Sequence, residues 1–284
     1  MRETSNPVFR RLPKNEGGYA TFGSGAAGYG AQQVHAEPYP TQYPDQRQTG
    51  VSRPLTIDDV VTKTGITLAV LSAVAVVSFF LVSSNMALAM PLVLIGGLGG
   101  LVVVLIAMFA RKQDNPAVVL TYAALEGLFV GAISFLFTNV LVSGANAGVM
   151  ISQAVLGTFG VFFGMLVVYK TGAIRVTPKL TRFIVAAMFG ALALMLGNFV
   201  LAIFGVGGGE GLGLRSGGPI AILFSLFVIG LAAFSFLIDF DAADQMIRAG
   251  APEKAAWGIA LGLTVTLVWL YLEILRLLSY FQND

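Results

Sequence analysis

The closing stretch Trp257–Phe281, WGIALGLTVTLVWLYLEILRLLSYF, decides the fold. It is apolar for longer than the ~20 residues a helix needs to cross a ~30 Å hydrocarbon core. Yet it carries Glu273 and Arg276 in its second half. A charge near mid-bilayer costs at least ~2.5 kcal/mol, so it is kept mainly where it faces partners or water inside a bundle. The span therefore reads as the hub of a helical bundle, with the earlier apolar stretches as its jacket. The residues that feed it, Phe236–Gln245, carry Asp239, Asp241 and Asp244 and read as an acid-bearing turn.

Composition agrees with a membrane protein. Of 284 residues, 56% are hydrophobic and only 11% charged, and the mean hydropathy of +0.80 lies beyond ordinary soluble domains. The net charge of +2 is small and scattered, so nucleic acid is not an expected partner. Residues 1–56 are rich in Gly, Pro, Tyr, Gln and Ser without an aliphatic pattern. Such a segment buries too little apolar surface to offset its ordering entropy, and a disordered tail is expected there. Its polar opening does not resemble a cleaved leader. The basic Arg10-Arg11 end of its first segment reads as solvated, with anionic headgroups as the alternative contact.

Residues 57–284 are expected to form one all-α domain of seven transmembrane helices with the last one central. The spans are placed at about Thr64–Ser83, Leu88–Ala110, Ala117–Val142, Met150–Tyr169, Arg182–Phe204, Pro219–Ile238 and Trp257–Phe281. Helix is the only option, since an open sheet leaves edge groups unsatisfied in lipid and the runs lack barrel alternation. Of the 17 Lys and Arg residues, all but Arg215 and Arg276 fall ahead of the first span or in and at the edges of the second, fourth and sixth connections. That bias predicts a cytoplasmic N-terminus and an external C-terminus. The glycines Gly96, Gly97, Gly99 and Gly100 in the second span read as a helix-packing surface. They do not read as a phosphate loop, because no strand precedes them and no Lys-Ser/Thr follows.

Several chemistries are excluded. The single histidine, His35, lies in the tail and there is no cysteine, which removes a multi-histidine zinc site, a Ser-His pair within the bundle and a thiolate nucleophile. No lysine sits inside a span to anchor a Schiff base. The chain is thus expected not to be an enzyme and to hold no catalytic metal or cofactor.

The remaining ionisable groups carry the functional reading. Glu126 lies about nine residues into the third span, ~14 Å deep, either as a neutral acid bonded to a neighbouring carbonyl or as a proton or cation ligand. Asp239, Asp241 and Asp244 are spread over more than one helix face. They stand at a helix C-terminus, which disfavours acids, and Arg111 is the candidate compensating cation. Glu273 and Arg276 share a face three residues apart, as a self-satisfied pair or with Glu273 turned into a pathway.

At these residues the chain resembles the transmembrane Bax inhibitor motif family, also called the Bax inhibitor 1 family, and within it a bacterial branch. The matching pieces are Ser5-Asn6-Pro7-Val8, Leu125-Glu126-Gly127-Leu128, Ser235-Phe236-Leu237-Ile238-Asp239-Phe240-Asp241 and Trp269-Leu270-Tyr271-Leu272-Glu273-Ile274-Leu275-Arg276. The resemblance implies six helices around the seventh, a bacterial plasma membrane and a pH-sensitive calcium leak, with calcium and protons as what passes. It also implies two carboxylates that share a proton, bonded to an arginine at the end of the second helix. Carried over by motif, these are Asp241, Glu273 and Arg111; on the leak reading, Asp239 and Glu126 are expected as further pathway groups. Keeping the family's separation from Asp241 lands instead near Thr266. A competing expectation is a non-conducting regulator that binds another membrane protein such as a protease. Removing residues 1–53 discriminates, since a pore should still conduct.

Overall fold

The computed structural model describes residues 53–141 and 147–282. The expected tail up to residue 52, with its Ser5–Val8 motif, lies outside the described residues. Among the described residues seven α-helices run in chain order: α1 Ile57–Ser84, α2 Ala89–Phe109, α3 Pro116–Phe135, α4 Ala147–Thr171, α5 Pro178–Ile203, α6 Pro219–Arg248 and α7 Ala255–Phe281. By length and composition each is capable of crossing a membrane. Their starts follow local chemistry. The Asn115 side chain caps α3 and the Thr177 side chain caps α5, and proline occupies the first turn of α3, α5 and α6, where a missing N–H costs nothing.

The centre of the bundle is α7, packed against α1, α3, α4 and α6. One side of it buries Leu263, Leu267 and Leu270 against Phe236 and Phe240 of α6. The other places Val268, Tyr271 and Leu275 against Ala123 and Val130 of α3 and Met150 and Ala154 of α4. Phe162 of α4 stands edge-on to Phe236 and Phe240 at 5.3 and 5.4 Å between ring centroids. In the outer layer α2 packs on α3, and α5 packs on α6.

Backbone contact in lipid depends on small residues, and two glycine pairs supply it. Gly96 and Gly100 bring α2 onto α3, and Gly127 and Gly131 bring α3 onto α1. The Ser78 hydroxyl of α1 then donates across to the Leu128 carbonyl of α3 at 2.7 Å.

Two expectations are corrected by this architecture. Phe236–Gln245 is not a turn but the continuation of α6, whose 30 residues reach ~45 Å, well past a ~30 Å hydrocarbon core. Its polar end is held helical by side-chain pairs one turn apart, Gln245 donating to Asp241 at 2.6 Å and Arg248 to Asp244 at 2.7 Å. Residues Arg53–Thr56, assigned by composition to the tail, are packed on the bundle: Leu55 is buried and Thr56 opens α1 through a capping box with Asp59.

Candidate functional site

The acids of α6 divide between two faces, as 100° per residue requires. Asp239 shares its side with Phe236, Phe240 and Ala243, which belong to the cluster around α7. There its carboxylate accepts a hydrogen bond from the Thr266 hydroxyl of α7 at 2.8 Å, and Thr266 is itself buried. Asp241 and Asp244, nearly opposite, face the Tyr169 hydroxyl of α4, which lies 3.4 and 3.3 Å from them. Their close partners are on their own helix, Gln245 and Arg248.

Arg111 is not that partner. It follows α2 with a left-handed backbone (φ 52°) and is exposed, and among the described residues no ion pair joins it to Asp241. Asp241 and Glu273 are not together either. Glu273 is 2% exposed. One oxygen accepts from the Ser225 hydroxyl of α6 at 3.0 Å and the other pairs with Arg276 at 2.5 Å. The Arg276 guanidinium lies 5.8 Å from the centre of the Phe137 ring. From the loop between α5 and α6, Arg215 approaches the same end. Burial, followed by the Arg276 charge, lowers its pKa.

Along α7, Thr266 and Glu273 are seven residues apart, ~10 Å. The structure therefore forms two separate carboxylate sites on the central helix, Asp239–Thr266 towards one end and Glu273–Arg276–Ser225 towards the other. The aspartate of α6 that meets the central helix is Asp239, and the α7 residue it meets is Thr266. The Phe240-Asp241 motif directed attention to the neighbouring acid. The signal that finds Asp239 is periodicity, since it alone of the three acids lies in register with Phe236 and Ala243.

Glu126, the fifth acid of interest, is half-buried on the side of α3 that meets α2. A Cβ placed on Gly100 would come within 2.7 Å of its carboxylate. Among the described residues it has no hydrogen-bond partner. It stands apart from both sites on α7.

The cavity between α1, α3, α4 and α7 has a volume of about 320 Å³. Its lining is apolar apart from a few hydroxyls. Ser134 and Tyr271 bond each other at 2.8 Å, and Thr158 donates to its own helix at the Ala154 carbonyl. Ser72 adds a further hydroxyl, and no charged side chain lines the cavity. Among the described residues no group of three or more His, Cys, Asp or Glu is placed to hold a metal ion.

Comparison with known proteins agrees with this architecture. No curated protein matches the chain. A match described as Bax inhibitor 1 like extends over residues 6–283, taking in all seven helices and both carboxylate sites. On that coverage, the chain is a membrane protein that belongs to the Bax inhibitor 1 like family.

Proposed function

We propose that this protein is a pH-sensitive calcium leak of a bacterial plasma membrane, with the α6–α7 turn on the cytoplasmic side, and that Asp239 is its proton-responsive group. The observation that carries this reading is the Asp239 carboxylate lodged between α6 and the central helix, hydrogen-bonded to Thr266. A carboxyl in that position changes the charge of the helix contact when it gains or loses a proton, which alters both packing and attraction for a hard cation. Thr266 does not titrate, so one carboxyl takes the part that a proton-sharing pair plays in the resemblance. The process is passage without covalent chemistry, so neither an enzyme activity nor a resident cofactor enters it.

Calcium flux into liposomes containing the purified protein, followed across a pH series, tests this. Asp239→Asn is expected to flatten the profile at the value wild type reaches when protonated, whereas Asp241→Asn keeps the wild-type profile. An Asp239→Asn protein that retains the full pH response removes Asp239 from the mechanism.

A further inference from the structure

The residues just ahead of α1 are fastened to the turn between α6 and α7, far along the chain. The Leu55 N–H donates to the Ala251 carbonyl at 2.8 Å and the Glu253 N–H donates to the Arg53 carbonyl at 3.0 Å. Together they make a single antiparallel bridge with the α6–α7 turn, Pro54 facing Pro252. Two prolines opposite each other are admissible there because the bridge pair lies between the hydrogen bonds, where neither residue's N–H is needed by the other strand.

Side chains reinforce the bridge. Arg53 grips Asp59 with two nitrogens, at 2.6 and 3.0 Å, and reaches Glu253 at 3.3 Å. Asp59 holds the Arg53 pKa above its ordinary value through that hydrogen bond. Lys63 of α1 lies 3.8 Å from Glu253 and 5.3 Å from the centre of the Trp257 ring. Exposed ion pairs are individually weak, so the hold rests mainly on Leu55, 2% exposed in the cluster that also contains Phe236, Phe240, Leu263 and Leu267. Those four residues flank Asp239 and Thr266 on their own helices.

We propose that Arg53–Leu55 is a strap that holds the α6–α7 end shut over the Asp239–Thr266 contact, and that its release opens that end. The strap's effect on flux rests on the leak reading above; its effect on opening does not. The absence of native cysteine permits a clean test with Pro54→Cys/Pro252→Cys. An antiparallel pair of this kind has Cα atoms about 4.5 Å apart, within the roughly 4.4–6.8 Å a disulfide spans.

Amide hydrogen exchange over the second half of α6 and the first half of α7 is compared in the oxidised and reduced forms of the same protein, with calcium flux measured in parallel. The expected result is slower exchange there when oxidised, with recovery on reduction, and flux that falls and recovers with it. Leu55→Ala should shift exchange the other way, about tenfold or more faster, without moving exchange at the α1–α3 contact. Equal exchange in the two redox forms overturns the strap. Slower exchange supports it even where wild type passes no calcium at any pH, an outcome that overturns the leak alone.

Discussion

Gly131→Ala is expected to lower the stability of the folded bundle by about 3 kcal/mol, the upper part of the range for overpacking a close contact. A Cβ at Gly131 would run into the Ala75 carbonyl oxygen and lie 2.7 Å from the Ser78 Cβ. Both belong to α1, and the closest is backbone, so no rotamer relieves the clash and the two helices must separate. Separation lengthens the Ser78–Leu128 hydrogen bond, the polar link between the same two helices. In lipid the helices have no hydrophobic drive to rejoin at greater distance, because the tails are as apolar as the side chains. Against this stands the ~1 kcal/mol that alanine gains over glycine in a helix. Gly190→Ala isolates that gain, since a Cβ there meets nothing within 4 Å. Thermal unfolding in detergent should show Gly131→Ala well below wild type and Gly190→Ala at or above it. Equal midpoints for the two variants would refute the close approach of α1 and α3.

Gly131 also shows what the sequence makes legible. Seven spans and the central place of the last one follow from hydropathy and from the two charges in Trp257–Phe281, because lipid leaves the backbone few options. The glycines of the second span were equally readable as a packing surface. Gly127 and Gly131, at the same spacing in the third, carry the tighter contact and stood out less only because they are two and not four. The acid-rich end of α6 reads as a turn because hydropathy falls there, yet the Gln245–Asp241 and Arg248–Asp244 pairs that keep it helical are local, four residues apart in the sequence. The Thr56–Asp59 capping box was a visible start signal as well, seven residues earlier than the apolar run suggests.

Partner choice is different in kind. Whether Arg111 reaches Asp241, or whether Asp239 or Asp241 turns towards α7, depends on the rotation of α6 about its own axis and on where α2 ends. Composition fixes neither. The structure resolves both, leaving Arg111 exposed and placing Asp239 on Thr266. The Phe240-Asp241 motif points to Asp241, whereas the acid that contacts the central helix through Thr266 is Asp239, on the other side of Phe240.

The second large effect concerns Glu273 and Arg276, and it is asymmetric. Arg276→Met is expected to destabilise the bundle by about 3 kcal/mol, the lower end of the cost of breaking a buried ion pair, because it leaves the Glu273 carboxylate in the core with Ser225 as its remaining hydrogen-bond donor. Glu273→Gln is expected to cost no more than about 1 kcal/mol. The amide still accepts from Ser225, and the long Arg276 side chain, 16% exposed where Glu273 is 3%, can carry its charge outward along its stem. Thermal midpoints of the two variants measure the difference; equal losses would mean that the carboxylate is not the buried partner. Calcium flux separates the two acids, Glu273 of α7 and Asp239 of α6. Glu273 is paired with the Arg276 guanidinium, whereas Asp239 is met by the neutral Thr266 hydroxyl between two helices, so Glu273→Gln should keep the wild-type pH dependence of calcium flux while Asp239→Asn loses it. If Glu273→Gln flattens the profile instead, the proton-responsive group sits at the α5–α6 loop end of the central helix and the Asp239–Thr266 contact is only a brace.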